Sequence, residues 1–214
     1  MLCMNRHYRI RHLPLKRIFD LLFSMMALAV TLPLFLTIWA VIRVTSKGPA
    51  VFSHERVGRG GEPFRCLKFR TMHADAETRL RALLTQDPKA KIEWEKSRKL
   101  KNDPRVTPVG KFLRKTSLDE LPQFLNVLKG DLSVVGPRPV VQEELLRYYR
   151  DKAPKILSIR PGITGLWQIS GRSNTSYRKR VELDERYVEN RSFAMDLKLV
   201  AKTVPALITR KGAY

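Results

Sequence analysis

The sequence predicts a helix-rich α+β fold fastened to a membrane face, and three observations predict it. Leu21 to Ile42 reads LLFSMMALAVTLPLFLTIWAVI, with no charged residue. Two short β-type runs flank the turn Gly58-Arg59-Gly60-Gly61. The rest is a series of charged, helix-favouring segments cut by proline and glycine. The expected organisation is a basic tail over 1–15, a membrane-inserted helix over 16–46 and one domain over 47–214.

At about 1.5 Å per residue the apolar run matches a hydrocarbon core of about 30 Å. It is too long for the apolar region of a secretory signal, and no small-residue cleavage site follows it. It is apolar on every side, unlike a core helix. Arg6, Arg9, Arg11, Lys16 and Arg17 precede it, and Arg43, Lys47, Arg56 and Arg59 follow. Both flanks therefore carry the cation excess that marks a cytoplasmic side. Pro33 removes a backbone donor near the middle. The expectation is a re-entrant helix broken at Pro33 that returns to the face it entered; the alternative is one kinked crossing.

The runs around 50–70 predict a small hairpin. No GKS or GKT follows its glycines, which excludes a P-loop. Pro88 divides residues 74–99 into two helices, and Asn102-Asp103-Pro104 is a turn. Helices are expected over 108–115, 118–128, 140–150 and 176–190, with Ser117 and Glu120 forming a capping box. Residues 160–174 are too glycine-rich for regular structure. In the last segment Phe193, Leu197, Val200, Val204 and Leu207 share one face. That pattern suits an amphipathic interfacial helix on anionic lipid and, equally, a helix packed on the core.

Lys and Arg total 41 against 20 Asp and Glu, which points to a polyanionic partner. Cys3 and Cys66 have no metal-ligand spacing and fit a reducing compartment. Within this basic chain Asp119 stands directly against Glu120. Arg114, Arg138, Arg160 and Arg172, with Lys68 and Arg70, lie in irregular segments, where a guanidinium fork suits phosphate oxygens. Together they imply a polyphosphate ligand bridged by Mg²⁺. Asp119 and Glu120 are the pair to hold that metal, and one of them could attack phosphorus. Spacing does not say which.

The segments KRIFDLLFS, CLKFRTM, NDPRVTPVGKFLRKTSLDELPQFLNVLKGDLSVVGPRPV, RPGITGLWQISGR and LDERYV resemble the monotopic polyprenyl-phosphate phosphoglycosyl transferases, in family order from Lys16 onward. EWEKSRKLKNDPR and the ending RKGAY favour the hexose branch, most similar to undecaprenyl-phosphate galactose phosphotransferases of exopolysaccharide synthesis. The resemblance implies that Asp119 attacks the β-phosphate of a UDP-sugar, releasing UMP, and that undecaprenyl phosphate then takes the phosphosugar. It implies Mg²⁺ on Glu120 beside Asp119, and phosphate contacts from Arg114 and Arg138, with Lys68, Arg70 and Arg172 lining the site. It further implies a bacterial inner-membrane location with the catalytic domain on the cytoplasmic face, contact with membrane lipids, and a homodimer as one assembly. Larger relatives carry additional N-terminal membrane helices, so the chain reads as a minimal catalytic form.

Galactose is the expected sugar, with glucose or an N-acetylhexosamine as alternatives. A non-enzymatic basic membrane adaptor is the other class. Nucleic acid is not an expected partner, because no binding motif occurs and the aromatics do not interleave with the basic residues.

Overall fold

The computed structural model describes residues 14–97, 100, 102–170 and 175–209; most of the basic tail lies outside the described residues. A single helix, α1, runs from Pro14 to Thr45. Proline at its start suits a position whose N–H would have no helical partner. Helical backbone continues through Pro33, so the break expected there is not a gap in the helix. The hydroxyls of Thr31 and Thr37 donate to the carbonyls of Ala27 and Pro33, four residues back, flanking the missing donor.

Both halves of α1 rest on the same domain, by different physics. In the first half, Arg17 donates to the carbonyls of Val127 and Leu128. Lys16 reaches Asp196 at 2.7 Å and the Val135 carbonyl at 3.0 Å. Buried Asp20 accepts from the Ser133 hydroxyl and the Val134 N–H. The second half packs instead: Ile38 and Ile42 are buried with Ala50, Phe69 and Leu113, with Phe35 against them. Between the two contacts Met25, Met26, Val30, Leu32 and Leu34 are exposed.

Strands β1 (Val51–Val57) and β2 (Pro63–Phe69) form the expected antiparallel hairpin. Asn126 lines its far edge, accepting from the Leu67 N–H and donating to the Arg65 carbonyl. A side-chain amide thus takes the place of a third strand.

Helices α2 (Ala76–Gln86) and α3 (Pro88–Ser97) divide at Pro88 as expected. The Asp87 carboxylate accepts from the N–H groups of Lys89 and Ala90 and starts α3. Helix α4 (Pro108–Thr116) is capped by Thr107, which accepts from the Gly110 N–H at 2.8 Å. A Cβ on Gly110 would lie 2.0 Å from the Thr71 carbonyl oxygen, so glycine lets α4 sit against the end of the hairpin.

The segment expected as one helix over 118–128 is a 3-10 turn at Leu118–Glu120 followed by α5 (Gln123–Lys129). The capping box is also corrected. Ser117 adopts φ 58°, closes α4 as its C-cap, and makes no side-chain cap hydrogen bond. Its left-handed conformation turns the Ser117 side chain out of the capping geometry.

Strand β3 (Ser133–Val135) pairs in parallel with β4 (Gly162–Thr164), inside a stretch expected to be irregular. Gly162 permits this pairing, because a Cβ there would meet the Gly136 nitrogen at 2.0 Å. The helix expected over 140–150 changes winding: α6 (Gln142–Glu144), a π turn at Leu145–Tyr149, a 3-10 turn at Arg150–Lys152, then α7 (Ala153–Ile156). After β4 come α8 (Leu166–Ile169), α9 (Tyr177–Asn190) and α10 (Phe193–Thr209).

The main core joins Val127, Leu132, Val134, Val135, Ile159, Tyr187, Val188 and Leu199, under Phe19 and Phe23 of α1. Helix α10 buries Asp196 and Leu199, while Leu197 and Val204 of its predicted apolar face are exposed. It is a core helix that also keeps apolar side chains outside. The side chain of Leu207 lies outside the described residues.

Candidate active site

Leu118 and Leu121 bracket the two carboxylates and pack into the apolar cluster built on Phe69, Leu113 and the second half of α1. Asp119 and Glu120 between them meet β2. Lys68 donates to Glu120 Oε1 at 2.6 Å, and its Nζ lies 3.8 Å from Asp119 Oδ2. The pair therefore sits on the hairpin, between two leucines that pack on the cluster shared with α1.

Asp119 is buried, and its carboxyl is pushed up to about 6. Loss of hydration is the largest cause and the Glu120 charge adds to it; Lys68 and Arg114 pull the other way. Arg114 is fixed by donating from Nε to the Thr71 hydroxyl at 3.0 Å, a consequence of the close approach at Gly110. Burial holds its guanidinium below the usual range, and the Asp119 charge offsets part of this.

Arg138 comes to the other end of the hairpin. Its guanidinium lies 4.9 Å from the centre of the Trp167 ring, and its backbone N–H donates to Asp184. Asp184 also accepts from the Tyr149 hydroxyl at 2.9 Å. The Arg138 charge is felt at Arg56 and Cys66 of the hairpin.

Lys68, Arg114, Asp119 and Glu120 are thus gathered at one end of the hairpin, with Arg138 at the other. Two other expected phosphate ligands point elsewhere. Arg70 donates to the carbonyls of Ser46 and Lys47, just past α1. Arg160 donates to the Gly130 carbonyl at the end of α5. Each guanidinium closes a helix end that has carbonyls without helical partners. Arg172 lies outside the described residues.

Arg56, Glu144, Arg180 and Asp184 were missed by the sequence reading. Arg56 could have been found from strand periodicity, since it lies on the same face of the hairpin as Lys68. Glu144 and Arg180 come from two helices, and no spacing rule joins them.

No group of three or more His, Cys, Asp or Glu suited to a metal occurs among the described residues. Mg²⁺ is ordinarily held by one or two carboxylates and completed by phosphate oxygens and water. Two adjacent carboxylates fit a metal that arrives with a diphosphate.

The bacterial sugar transferase family matches residues 11–210. The chain is 50% identical over 200 residues to an undecaprenyl-phosphate galactose phosphotransferase of Salmonella typhimurium, covering 94% of this chain and 42% of that protein. It is 50% identical to the exopolysaccharide production protein ExoY of Rhizobium meliloti, covering 93% of this chain and 88% of ExoY. A UDP-glucose:undecaprenyl-phosphate glucose-1-phosphate transferase of Caulobacter vibrioides is 39% identical, with 93% and 72% covered. The chain therefore spans less than half of the Salmonella relative and most of ExoY.

Proposed function

The chain belongs to the bacterial sugar transferase family, and from that premise we propose that it moves a hexose-1-phosphate, galactose-1-phosphate first among the candidates, from a UDP-sugar to undecaprenyl phosphate. The relatives named for galactose and glucose transfer support the reaction class. One observation carries the mechanism: a buried carboxylate, Asp119, that hydrogen-bonds to no other side chain among the described residues and is held 3.8 Å from the Lys68 ammonium on a turn packed against the membrane helix.

In the proposed first step an Asp119 oxygen bonds to the β-phosphorus of the donor. The bond from that phosphorus to the bridging oxygen breaks, and the electron pair leaves with UMP. In the second, an oxygen of undecaprenyl phosphate bonds to the same phosphorus, and the Asp119–phosphorus bond breaks. The product is a lipid diphosphate sugar, and the carboxylate is restored. Lys68, Arg114 and Arg138 neutralise the phosphates, and burial keeps competing water away from the acyl phosphate. Glu120, with Asp119, would hold Mg²⁺, which would offset the diphosphate charge.

The contacts of α1 support a re-entrant arrangement over a crossing. Residues 16–24 and 35–42 both rest on the one domain, and the exposed apolar stretch lies between them. Basic residues on both sides of the segment favour the cytoplasmic face of the inner membrane. The adaptor reading gains no comparable support.

Mass spectrometry of purified protein trapped with UDP-galactose tests the mechanism. An adduct equal to hexose phosphate on Asp119, absent from Asp119→Asn, is expected. Undiminished UMP release by Asp119→Asn would remove the covalent step. Loss of turnover in EDTA, restored by Mg²⁺, is the expected result for the metal.

A further inference from the structure

Thr71 follows β2 and touches helix α4 at its start, its middle and its last turn. Its carbonyl accepts from the Thr107 N–H at 3.0 Å, where α4 begins, and is the atom that a Cβ on Gly110 would strike. Its hydroxyl accepts from Arg114 Nε at 3.0 Å. The two groups do different work. The carbonyl ties α4 to the end of the hairpin without help from the side chain. The hydroxyl, on a residue only 7% exposed, is spent on Arg114.

What that bond fixes is the roll of the guanidinium. Nε is held inward, and neither Nη1 nor Nη2 hydrogen-bonds another described residue. Neither is sealed from solvent, since the buried unpartnered side-chain nitrogens among the described residues belong to Arg70 and Arg180. Half-buried Arg114 thus presents its outer edge, and the strongest opposite charge acting on it is Asp119. A planar fork grips phosphate through parallel N–H bonds only when its plane is set, whereas a point charge needs no such orientation. The β-branched Thr71 side chain is itself stiff, so the acceptor that sets the plane is fixed as well.

We propose that the Thr71 hydroxyl is a positioning group for the donor: by holding Nε, it aims the outer fork of Arg114 at a phosphate oxygen. An arginine free to swing gives up side-chain freedom when it meets an anion, and Arg114 has already given it up on folding. The contribution therefore falls on binding of the diphosphate. This inference rests on the donor being a nucleotide sugar, as proposed above.

The test is a double-mutant cycle on full-length protein in detergent with Mg²⁺. Wild type, Thr71→Val, Arg114→Met and the double variant are compared for kcat and KM of UMP release from UDP-galactose. The same set in an Asp119→Asn background gives the equilibrium Kd of UDP-galactose without turnover. Valine keeps the branched shape and the carbonyl contacts, so Tm should hold; Thr71→Ala carries the cycle if Thr71→Val does not fold. Thr71→Val should raise KM and Kd about 10- to 100-fold, the range for a hydrogen bond to a charged group, with kcat within about 3-fold. Thr71→Ser, which restores the hydroxyl, should stay within about 3-fold of wild type. In the Arg114→Met background, Thr71→Val should cost less than about 3-fold more. Equal losses in both backgrounds, no loss in Thr71→Val, or a Thr71→Ser as impaired as Thr71→Val would overturn the proposal. Coupling that persists in Kd while wild type releases no UMP sinks the transfer reaction and leaves Thr71 positioning Arg114. UMP release without coupling does the reverse.

Discussion

Asp119 and Asp184 are both buried, and both carboxyls are pushed up to about 6 with loss of hydration as the leading cause. They differ in what their oxygens touch. Asp184 accepts from the Tyr149 hydroxyl and the Arg138 backbone, so its environment is complete. Asp119 faces Lys68 at 3.8 Å and a like charge on Glu120. A buried acid held by a neighbour's hydroxyl holds a structure together; one that meets only its own backbone N–H and charges keeps lone pairs for another atom. Perturbation alone would not have told the two apart.

The largest effect that would sharpen this contrast is on turnover. Asp119→Asn should lower UMP release by about 10⁴-fold, the scale for removing a nucleophile. Asp184→Asn should lower it far less, acting only through the Arg138 loop. Equal losses in the two variants would break the comparison.

Stability should move in opposite directions. Asp184→Ala leaves the Tyr149 hydroxyl and the Arg138 N–H unpaired and should cost about 2–4 kcal/mol, measured by denaturant or thermal melting. Asp119→Asn should instead stabilise the protein at pH 7 by roughly 1–2 kcal/mol in metal-free buffer. The folded-state value of Asp119 lies above its ordinary 3.8, so its ionisation opposes folding. That penalty develops as pH rises from 3.8 to about 6 and is absent below it, so the two proteins should converge in acid.

The same shift sets an acid limb for the reaction. Attack needs the ionised carboxylate, so single-turnover UMP release without acceptor should fall in acid, and its midpoint should move to lower pH as Mg²⁺ is raised, because a bound cation favours the charged form. A profile that neither falls in acid nor responds to Mg²⁺ would mean that Asp119 is not the titrating nucleophile.

The smallest effect concerns the turn that presents Asp119. Ser117→Gly removes a side chain from φ 58° and should stabilise by about 0.5–1 kcal/mol with UMP release unchanged. A melting temperature that falls would show that Ser117 makes an interaction beyond its backbone role.

The dyad was legible because its carboxylates adjoin in sequence, and the hairpin because two alternating runs bracket a glycine turn. Pro88 announced its helix boundary through a local backbone rule. The β3–β4 pair was not legible, because three-residue strands far apart in sequence leave no period to read. Arg70 and Arg160 have the same local surroundings as Arg138 in sequence, loops rich in turn residues, yet close helix ends formed by distant segments. Ser117 matched a capping pattern whose spacing carries no record of the left-handed turn that the end of α4 demands.

Helix α1 has a practical consequence for anyone wishing to handle this protein without detergent. Deleting it would strip Phe69 and Leu113 of their cover and orphan the Val134 amide that Asp20 accepts from. The anchor is therefore a wall of the catalytic body, not a leash. Trimming it away should yield aggregate, whereas recoating its outward methionines, leucines and valines with polar side chains offers a route to a water-soluble enzyme.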